Sequence, residues 1–171
     1  MVIGVGGLGH LAVQILRAIT AARIIALDVR GDKLARAREL GADEILMSDA
    51  DAAPTIREMT GGVGADAVFD FVGADATLEL AIGVVRSGGH VALVGLAGGR
   101  VPFGFGATPF ETKLVMPFGG TQAELIEVLA LGASGRITPR VERFWLNEVE
   151  EVYRRMREGE IEGRAVLAPD R

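Results

Sequence analysis

Short apolar runs alternate along the chain with longer segments in which apolar residues recur every three or four positions. The short runs predict buried β-strands, and the periodic segments predict helices with one buried face. We predict strands over residues 1–3, 23–27, 44–47, 67–72, 90–94 and 113–116, and helices over residues 11–19, 33–40, 54–60, 76–85 and 121–131. This alternation favours an α/β fold with a doubly wound parallel sheet of about six strands and helices on both faces, the Rossmann architecture.

The pattern changes after residue 135. Residues 141–146 predict a strand, and Asn147 followed by Glu150 predicts a helix N-cap of the capping-box type. The predicted helix has an apolar stripe at Val149, Val152, Tyr153 and Met156 and two i,i+4 ion pairs, Glu150–Arg154 and Glu151–Arg155. A short strand over residues 165–167 follows it. We therefore divide the chain into a Rossmann domain over 1–135 and a strand–helix–strand segment over 136–171.

A glycine-rich turn lies between the first predicted strand and the first predicted helix. Residues 4–9, Gly-Val-Gly-Gly-Leu-Gly, fit the pattern G-x-G-x-x-G. Such a turn lets backbone N–H groups approach a diphosphate at the N-terminus of a helix. The sequence thus predicts that a dinucleotide binds at this turn.

An acidic residue at the end of the second predicted strand sharpens that prediction. Asp28 lies 19 residues after Gly9, where a carboxylate accepts hydrogen bonds from an adenosine ribose. Its charge would repel a 2′-phosphate, so we expect NAD rather than NADP. Arg30 favours the opposite preference if its side chain turns inward. Methyltransferases also place a glycine turn after the first strand and an acid after the second, so an S-adenosylmethionine-dependent methyltransferase is an alternative.

Composition and charge limit the kinds of partner that we expect for the chain. The 171 residues carry a net charge of −5 and no basic tract, which disfavours nucleic acid. No apolar stretch reaches the roughly 18 residues of a membrane span. The start, Met1-Val2-Ile3, is too short for a signal peptide, so we expect a cytoplasmic protein. The sequence has no Cys, and His10 and His90 fall on different elements, so we expect no zinc in this chain. His10 follows the glycine turn, and we expect a structural or peripheral role for it.

Four segments together resemble one family. They are VIGVGGLGHLAVQ at residues 2–14, LARARELGADEIL at 34–46, GADAVFDFVGAD at 64–75 and GRAVLAP at 163–169. The combination is similar to zinc-type medium-chain alcohol dehydrogenases, in which a catalytic domain precedes a six-stranded coenzyme domain and the chain then returns to the catalytic domain. The resemblance implies that residues 136–171, which we call the return segment, would pack on such a catalytic domain.

The resemblance also implies roles for individual residues. Gly4, Gly6, Gly7, Leu8 and Gly9 would line the cofactor diphosphate, and Arg164 would reach it from the return segment. Asp28 and Lys33 would hold the adenosine ribose. Val72 and Gly73 would pack near the adenine and its ribose, and Val94, Gly95 and Leu96 would approach the nicotinamide.

The resemblance further implies an oxidoreductase that transfers hydride between an alcohol or aldehyde and NAD. In that family a Cys, a His and an acidic residue of the N-terminal domain bind the catalytic zinc, and this sequence has no matching positions. We therefore predict a chain that binds NAD(H) and is inactive alone, with a non-enzymatic NAD-sensing module or half of a split enzyme as alternatives. We expect marginal stability and self-association through exposed apolar surface, or pairing with a separately encoded catalytic half.

Overall fold

The computed structural model describes residues 1–169. Its sheet strands are β1 (Val2–Ile3), β2 (Ile25–Asp28), β3 (Glu44–Met47), β4 (Ala65–Asp70), β5 (Val85–Leu93) and β6 (Lys113–Val115). The connecting helices are α1 (Gly9–Ile19), α2 (Gly31–Glu39), α3 (Ala52–Met59) and α4 (Asp75–Val84), and α5 (Gln122–Ala133) follows β6. The return segment contains β7 (Val141–Trp145), α6 (Val149–Arg157) and β8 (Arg164–Ala168).

The six strands form one sheet in the order β3-β2-β1-β4-β5-β6, and every neighbouring pair is parallel. Strands β7 and β8 form a separate parallel pair. The sheet confirms the predicted doubly wound α/β fold. The strand β1 lies at its centre although it contains two residues, Val2 and Ile3, which pair with β2 on one side and β4 on the other.

Alternate residues of the central strands point into two separate apolar layers. Val2 and Ala26 pack in one layer, which also contains Val13 of α1 and Ala37 of α2. The other layer holds Ile3 and Leu27 with two α3 residues, Ala52 and Ile56, and two α4 residues, Ala81 and Ile82. The strands are therefore buried on both faces, as expected of a parallel sheet covered by helices.

Strand β4 ends two residues earlier than predicted. The carboxylate Oδ1 of Asp70 accepts hydrogen bonds from the backbone N–H groups of Val72 (2.9 Å) and Gly73 (3.0 Å). A side-chain acceptor that captures these donors turns the chain out of the ladder. Strand β5 begins at Val85 rather than at residue 90, with a register shift against β4 between Ala65 and Ala67.

The predicted start of α6 is wrong. A 3₁₀ turn covers Leu146–Glu148, and α6 begins at Val149, so Asn147 lies inside the turn instead of capping the helix. The carboxylate of Glu148 accepts the Trp145 backbone N–H at 2.6 Å, which satisfies this end of the turn.

The ion pairs predicted for α6 are also replaced. Arg154 pairs with Glu151 and Glu158, and Arg155 pairs with Glu142 of β7. Glu151 and Glu158 lie three residues before and four residues after Arg154, on the same face of the helix. Arg155 instead reaches a carboxylate of the neighbouring strand β7.

Within residues 1–169 no helix is long and apolar enough to cross a membrane. The division at residue 135 stays a prediction.

Candidate functional site

A cavity of about 570 Å³ opens at the carboxyl ends of the central strands. It is lined by Ile3, Gly4, Gly6, Gly7, Leu8, Gly9, Asp28, Val29, Lys33, Ser48, Phe71, Val72, Thr77 and Arg164. The chain runs outward from β1 to β3 and then returns to place β4 on the other side of β1. Crevices at such a reversal of strand order are the usual ligand sites of open α/β sheets.

The glycine turn forms the floor of this cavity, and two of its positions tolerate no side chain. Gly4 has φ +83°, and a Cβ there would lie 2.6 Å from Cγ2 of Val72. A Cβ on Gly9 would lie 1.8 Å from the Gly4 carbonyl oxygen. The turn therefore closes tightly on itself and on the residues that follow β4, and α1 begins at Gly9 with its N-terminus directed at the cavity. A helix N-terminus favours an anionic group.

Asp28 ties the glycine turn to the end of β2. Its side chain is buried; Oδ2 accepts the Val5 backbone N–H at 2.7 Å and Oδ1 accepts the Arg30 backbone N–H at 3.1 Å. The Lys33 Nζ lies 4.0 Å from Oδ2. The Asp28 carboxylate is thus fixed at the cavity wall with a cation beside it.

The Arg30 side chain is held elsewhere. Its guanidinium makes two hydrogen bonds to the Asp32 carboxylate, at 3.0 and 2.6 Å, and donates to the Gly159 carbonyl at 2.7 Å. Those contacts hold it against the return segment, and Arg30 is not among the residues that line the 570 Å³ cavity. Because the Asp32 carboxylate offsets the charge of the Arg30 guanidinium, Arg30 attracts a second anion less strongly.

Asp70 organises the loops that follow β4 and β5. It is fully buried; besides the Val72 and Gly73 donors, its Oδ2 accepts the Thr77 hydroxyl at 2.8 Å. Its backbone carbonyl accepts the N–H groups of Val94 (2.8 Å) and Gly95 (2.9 Å). One residue therefore fixes four of the predicted cofactor contacts.

The structure brings nine of the thirteen predicted site residues together at the cavity: Gly4, Gly6, Gly7, Leu8, Gly9, Asp28, Lys33, Val72 and Arg164. The other four, Gly73, Val94, Gly95 and Leu96, lie outside its lining, and Leu96 is 87% exposed. They belong to the two loops that follow β4 and β5 and that Asp70 holds together. These loops are in close contact, since a Cβ on Gly95 would lie 2.1 Å from the Val72 carbonyl carbon. Their contact with a cofactor stays a prediction.

Sequence reasoning missed five lining residues: Ile3, Val29, Ser48, Phe71 and Thr77. Four of them end a strand or follow one directly, and the fifth, Thr77, is the hydroxyl partner of Asp70. The rule that the carboxyl ends of parallel strands meet at one edge would have identified Ser48, which follows β3. Thr77 had no comparable signal because its position depends on a contact with Asp70.

The return segment closes over the glycine turn. A Cβ on Gly7 would lie 2.9 Å from the Gly163 carbonyl oxygen and 3.3 Å from Cδ and one terminal nitrogen of Arg164. The Arg164 backbone N–H donates to the Arg140 carbonyl at 2.9 Å. Arg164 thus brings a positive charge to the same end of the cavity as the α1 N-terminus.

His10 joins α1 to the return segment. Its Nδ1 donates to the Gly6 carbonyl at 2.9 Å, and its Nε2 accepts the Arg140 backbone N–H at 3.2 Å. Together these bonds require the neutral ring with its proton on Nδ1. Burial lowers the pKa of His10 below its ordinary value, the Arg36 and Arg164 charges lower it further, and the Gly6 hydrogen bond opposes them.

The described residues suit a cofactor better than a metal. Within residues 1–169 no group of three or more His, Cys, Asp or Glu side chains is arranged to hold a metal ion. A glycine turn, a helix N-terminus and Arg164 can bind a diphosphate, and a fixed carboxylate can accept hydrogen bonds from a diol.

Comparisons with known proteins identify the family of the chain. The chain matches the family described as zinc-binding dehydrogenase over residues 7–134. It is 37% identical over 169 residues to an alcohol dehydrogenase of Geobacillus stearothermophilus. The matched region covers 98% of this chain and 49% of the relative. The chain therefore spans about half the length of the curated relative that it matches.

Solved structures give the same result. The alcohol dehydrogenase of the hyperthermophilic archaeon Aeropyrum pernix is 36% identical with a TM-score of 0.90, over 98% of this chain and 49% of that one. Acetophenone reductase of Geotrichum candidum, solved in complex with NAD, is 31% identical with a TM-score of 0.83, over 97% and 47%. The methyltransferase alternative finds no support here. The chain belongs to the zinc-binding dehydrogenase family and corresponds to the Rossmann-fold half of its alcohol dehydrogenase-like members.

Proposed function

We propose that the chain binds NAD(H) in the 570 Å³ cavity and serves as the coenzyme domain of an alcohol dehydrogenase-like oxidoreductase. The observation that carries the proposal is the buried Asp28 carboxylate, fixed beside the glycine turn at the reversal of strand order. The NAD complex of the similar acetophenone reductase supports it.

In this proposal the cavity residues and the loops that Asp70 holds contact different parts of the dinucleotide. The diphosphate lies against the backbone of Gly6, Gly7 and Leu8 and receives the charge of Arg164, because anions bind at helix N-termini and to guanidinium groups. Asp28 and Lys33 bind the adenosine ribose. Val72 and Gly73 lie near the adenine, and Val94, Gly95 and Leu96 extend along the nicotinamide side.

NAD is preferred over NADP because of charge. A 2′-phosphate would add about two negative charges at neutral pH beside the Asp28 carboxylate. Arg30, the residue best placed in sequence to compensate, is paired with Asp32 and bonded to Gly159. We therefore expect NADP to bind more weakly than NAD.

The chain alone binds the coenzyme without oxidising alcohols. Hydride transfer from an alcohol needs a group that polarises its oxygen, which zinc supplies in the family that this chain resembles. The sequence has no Cys, and residues 1–169 hold no cluster of metal-binding side chains. In the proposed role these residues bind and orient NAD(H). Groups outside residues 1–169 would supply the Lewis acid and accept the proton of the alcohol.

Calorimetric titration with NAD, NADH, NADP and S-adenosylmethionine tests the proposal. We expect NAD and NADH to bind, NADP to bind more weakly and S-adenosylmethionine not to bind. Asp28→Asn removes a charged acceptor from the ribose, and we expect NAD affinity to fall roughly ten- to hundredfold, equivalent to about 1.5–3 kcal/mol. Asp51→Asn, on an exposed side chain before α3, is the matched control.

The proposal fails if NADP or S-adenosylmethionine binds more tightly than NAD, or if the two variants have the same affinity. Alcohol oxidation by the purified chain would overturn the second part, that the chain is inactive alone. An NADH-absorbance assay with a panel of primary and secondary alcohols measures it.

A further inference from the structure

Two polar side chains of α1, one helical turn apart, are buried against the return segment. His10 is 4% exposed and Gln14 is 7% exposed. Residues four apart lie on one face of a helix, so both side chains point the same way. Neither belongs to the lining of the 570 Å³ cavity.

Both side chains bind backbone rather than other side chains. Gln14 Oε1 accepts the Thr138 N–H at 2.8 Å, and Gln14 Nε2 donates to the Thr138 carbonyl at 3.2 Å. Two residues further on, the Arg140 N–H donates to His10 Nε2 at 3.2 Å. The two side chains thus satisfy backbone N–H and carbonyl groups of residues 138–140, as a neighbouring β-strand would.

Arg140 connects this contact to the cofactor cavity. Its N–H is held by His10, and its carbonyl accepts the Arg164 N–H at 2.9 Å. Gly163, which precedes Arg164, has φ +77°, and a Cβ there would lie 2.4 Å from the same Arg140 carbonyl oxygen. The position of Arg164 at the cavity therefore depends on two hydrogen bonds, one from Arg164 to Arg140 and one from Arg140 to His10.

We propose that His10 and Gln14 are positioning residues that clamp residues 138–140 onto α1 and thereby hold Arg164 against the dinucleotide diphosphate. The clamp is a property of the chain itself, whereas its effect on affinity rests on the proposed binding of NAD(H). Neither residue touches the coenzyme. His10 also holds the Gly6 carbonyl, so one ring links the glycine turn to the segment that covers it.

The clamp works only while His10 is neutral. A protonated ring has no lone pair for the Arg140 N–H and would direct a second donor at it. A 350 Å³ cavity beside His10 is lined by charged groups from each neighbouring element: Arg30, Asp32, Lys33, Arg36 and Glu39 from α2 and the turn before it, and Arg140 and Glu162 from the return segment. Arg164 adds a further positive charge that acts on the ring.

Burial, Arg36 and Arg164 keep the pKa of His10 below the value of about 6.5 that an unfolded chain shows. The neutral ring therefore stabilises the fold fully above pH 6.5. That contribution declines as the pH falls below 6.5 and through the folded pKa. Acid should release residues 138–140 first, because the bond to Arg140 is the one that protonation removes.

The first test needs no ligand. Amide hydrogen exchange by NMR at pH 7.5 compares the wild-type chain with His10→Ala, His10→Gln and His90→Ala, which changes the other, exposed histidine. We expect His10→Ala to speed exchange at Arg140 and Arg164 at least about tenfold. The Arg140 N–H loses its acceptor, and the Arg164 N–H is bonded to the Arg140 carbonyl, whose position depends on that acceptor. His10→Gln keeps an acceptor near the Nε2 position and should restore protection. Unchanged exchange in His10→Ala overturns the clamp.

The second test asks whether His10 acts through Arg164. NAD is titrated into His10→Ala, Arg164→Ala and the double variant. We expect each single change to weaken NAD binding about tenfold and the double variant to be no weaker than Arg164→Ala alone, because coupled residues are not additive. Additive losses overturn the proposed route. We also expect the NAD affinity of the wild type to fall in acid as His10 becomes protonated. His10→Gln should bind NAD like the wild type at pH 7.5 and should not show this fall.

The two proposals fail separately. If the wild-type chain binds no NAD, the proposed function is wrong, and the exchange experiment still decides the clamp. If NAD binds and His10→Ala binds it as tightly as the wild type, the positioning role is wrong while the proposed function stands.

Discussion

The carboxyl-end edge of the central strands and the helix α5 are stabilised in different ways. Around the cavity, polar groups are satisfied by partners far apart in sequence: the Asp28 carboxylate by Val5, the Asp70 carbonyl by Val94 and Gly95, and His10 by Arg140. Helix α5 has no buried residue, and four of its apolar side chains, Leu125, Ile126, Val128 and Leu129, are 40–62% exposed.

Helix α5 is instead held by local bonds. Its N-cap, Thr121, accepts the Glu124 N–H on its hydroxyl at 3.2 Å, and the Glu124 carboxylate accepts the Thr121 N–H at 2.6 Å. A capping box of this kind forms without tertiary contacts. The difference shows that the cofactor side of the chain depends on residues far apart in sequence, whereas α5 depends on its own four first residues.

The largest effect is expected at Asp70, the fully buried carboxylate that holds the loop after β4. Asp70→Ala leaves two backbone N–H groups and the Thr77 hydroxyl without their buried acceptor, and we expect a loss of about 3–5 kcal/mol of unfolding free energy. Urea denaturation measures it. Asp66→Ala, at a largely exposed carboxylate paired with Arg86, should cost less than about 1 kcal/mol. Equal losses in the two variants would contradict the role given to Asp70.

The next largest effect is steric. Gly9→Ala places a Cβ 1.8 Å from the Gly4 carbonyl oxygen, so the turn must open, and we expect about 2–3 kcal/mol of destabilisation. Gly6→Ala meets nothing within 4 Å and should change stability by less than about 1 kcal/mol. Thermal unfolding followed by circular dichroism compares them. A Gly6→Ala variant that is the less stable of the two would refute the geometry of the turn.

On the α5 side, polar substitution should change assembly more than stability. Leu129→Glu replaces an apolar side chain that is 62% exposed, and we expect the unfolding free energy to change by no more than about 0.5 kcal/mol. The predicted self-association should weaken, because a charge interrupts the apolar face. Sedimentation velocity over a range of concentrations measures it. If Leu129→Glu and the wild type sediment alike, the exposed face of α5 does not drive association.

The smallest effect concerns pH. The Thr121 backbone N–H and then its hydroxyl lower the pKa of Glu124 below its ordinary value of 4.5. The capping bond therefore stabilises α5 fully above pH 4.5 and is lost as the pH falls through the lowered pKa. Amide exchange should show α5 fraying at its N-terminus in acid before α4 does. Thr121→Val should produce the same fraying at pH 7.

Local patterns predicted most of this fold. The strand β3 has the predicted bounds, and the glycine turn with Asp28 is recognisable because its chemistry depends on spacing along one βαβ unit. The end of β4 was missed because the Asp70 side chain competes with the ladder for donors. Asn147 was wrong as a cap because Glu148 satisfies the turn instead.

The role of His10 was beyond the reach of pattern analysis. Its partner Arg140 lies 130 residues away, and nothing near His10 in sequence indicates that contact. The same limit applies to Thr77, which joins the cavity through Asp70. The family resemblance predicted Arg164 of the return segment at the cavity, whereas no pattern predicted the contact between His10 and Arg140 that leads to it.

The central position of β1 has a mechanical consequence. The backbone of residues 1–4 forms hydrogen bonds to β2 on one side and to β4 on the other. Asp28 ends β2 and Val72 follows β4, and both line the cavity together with the glycine turn. A dinucleotide that contacts both Asp28 and Val72 would join the two halves of the sheet, so coenzyme binding should stiffen the middle of the sheet more than its edges.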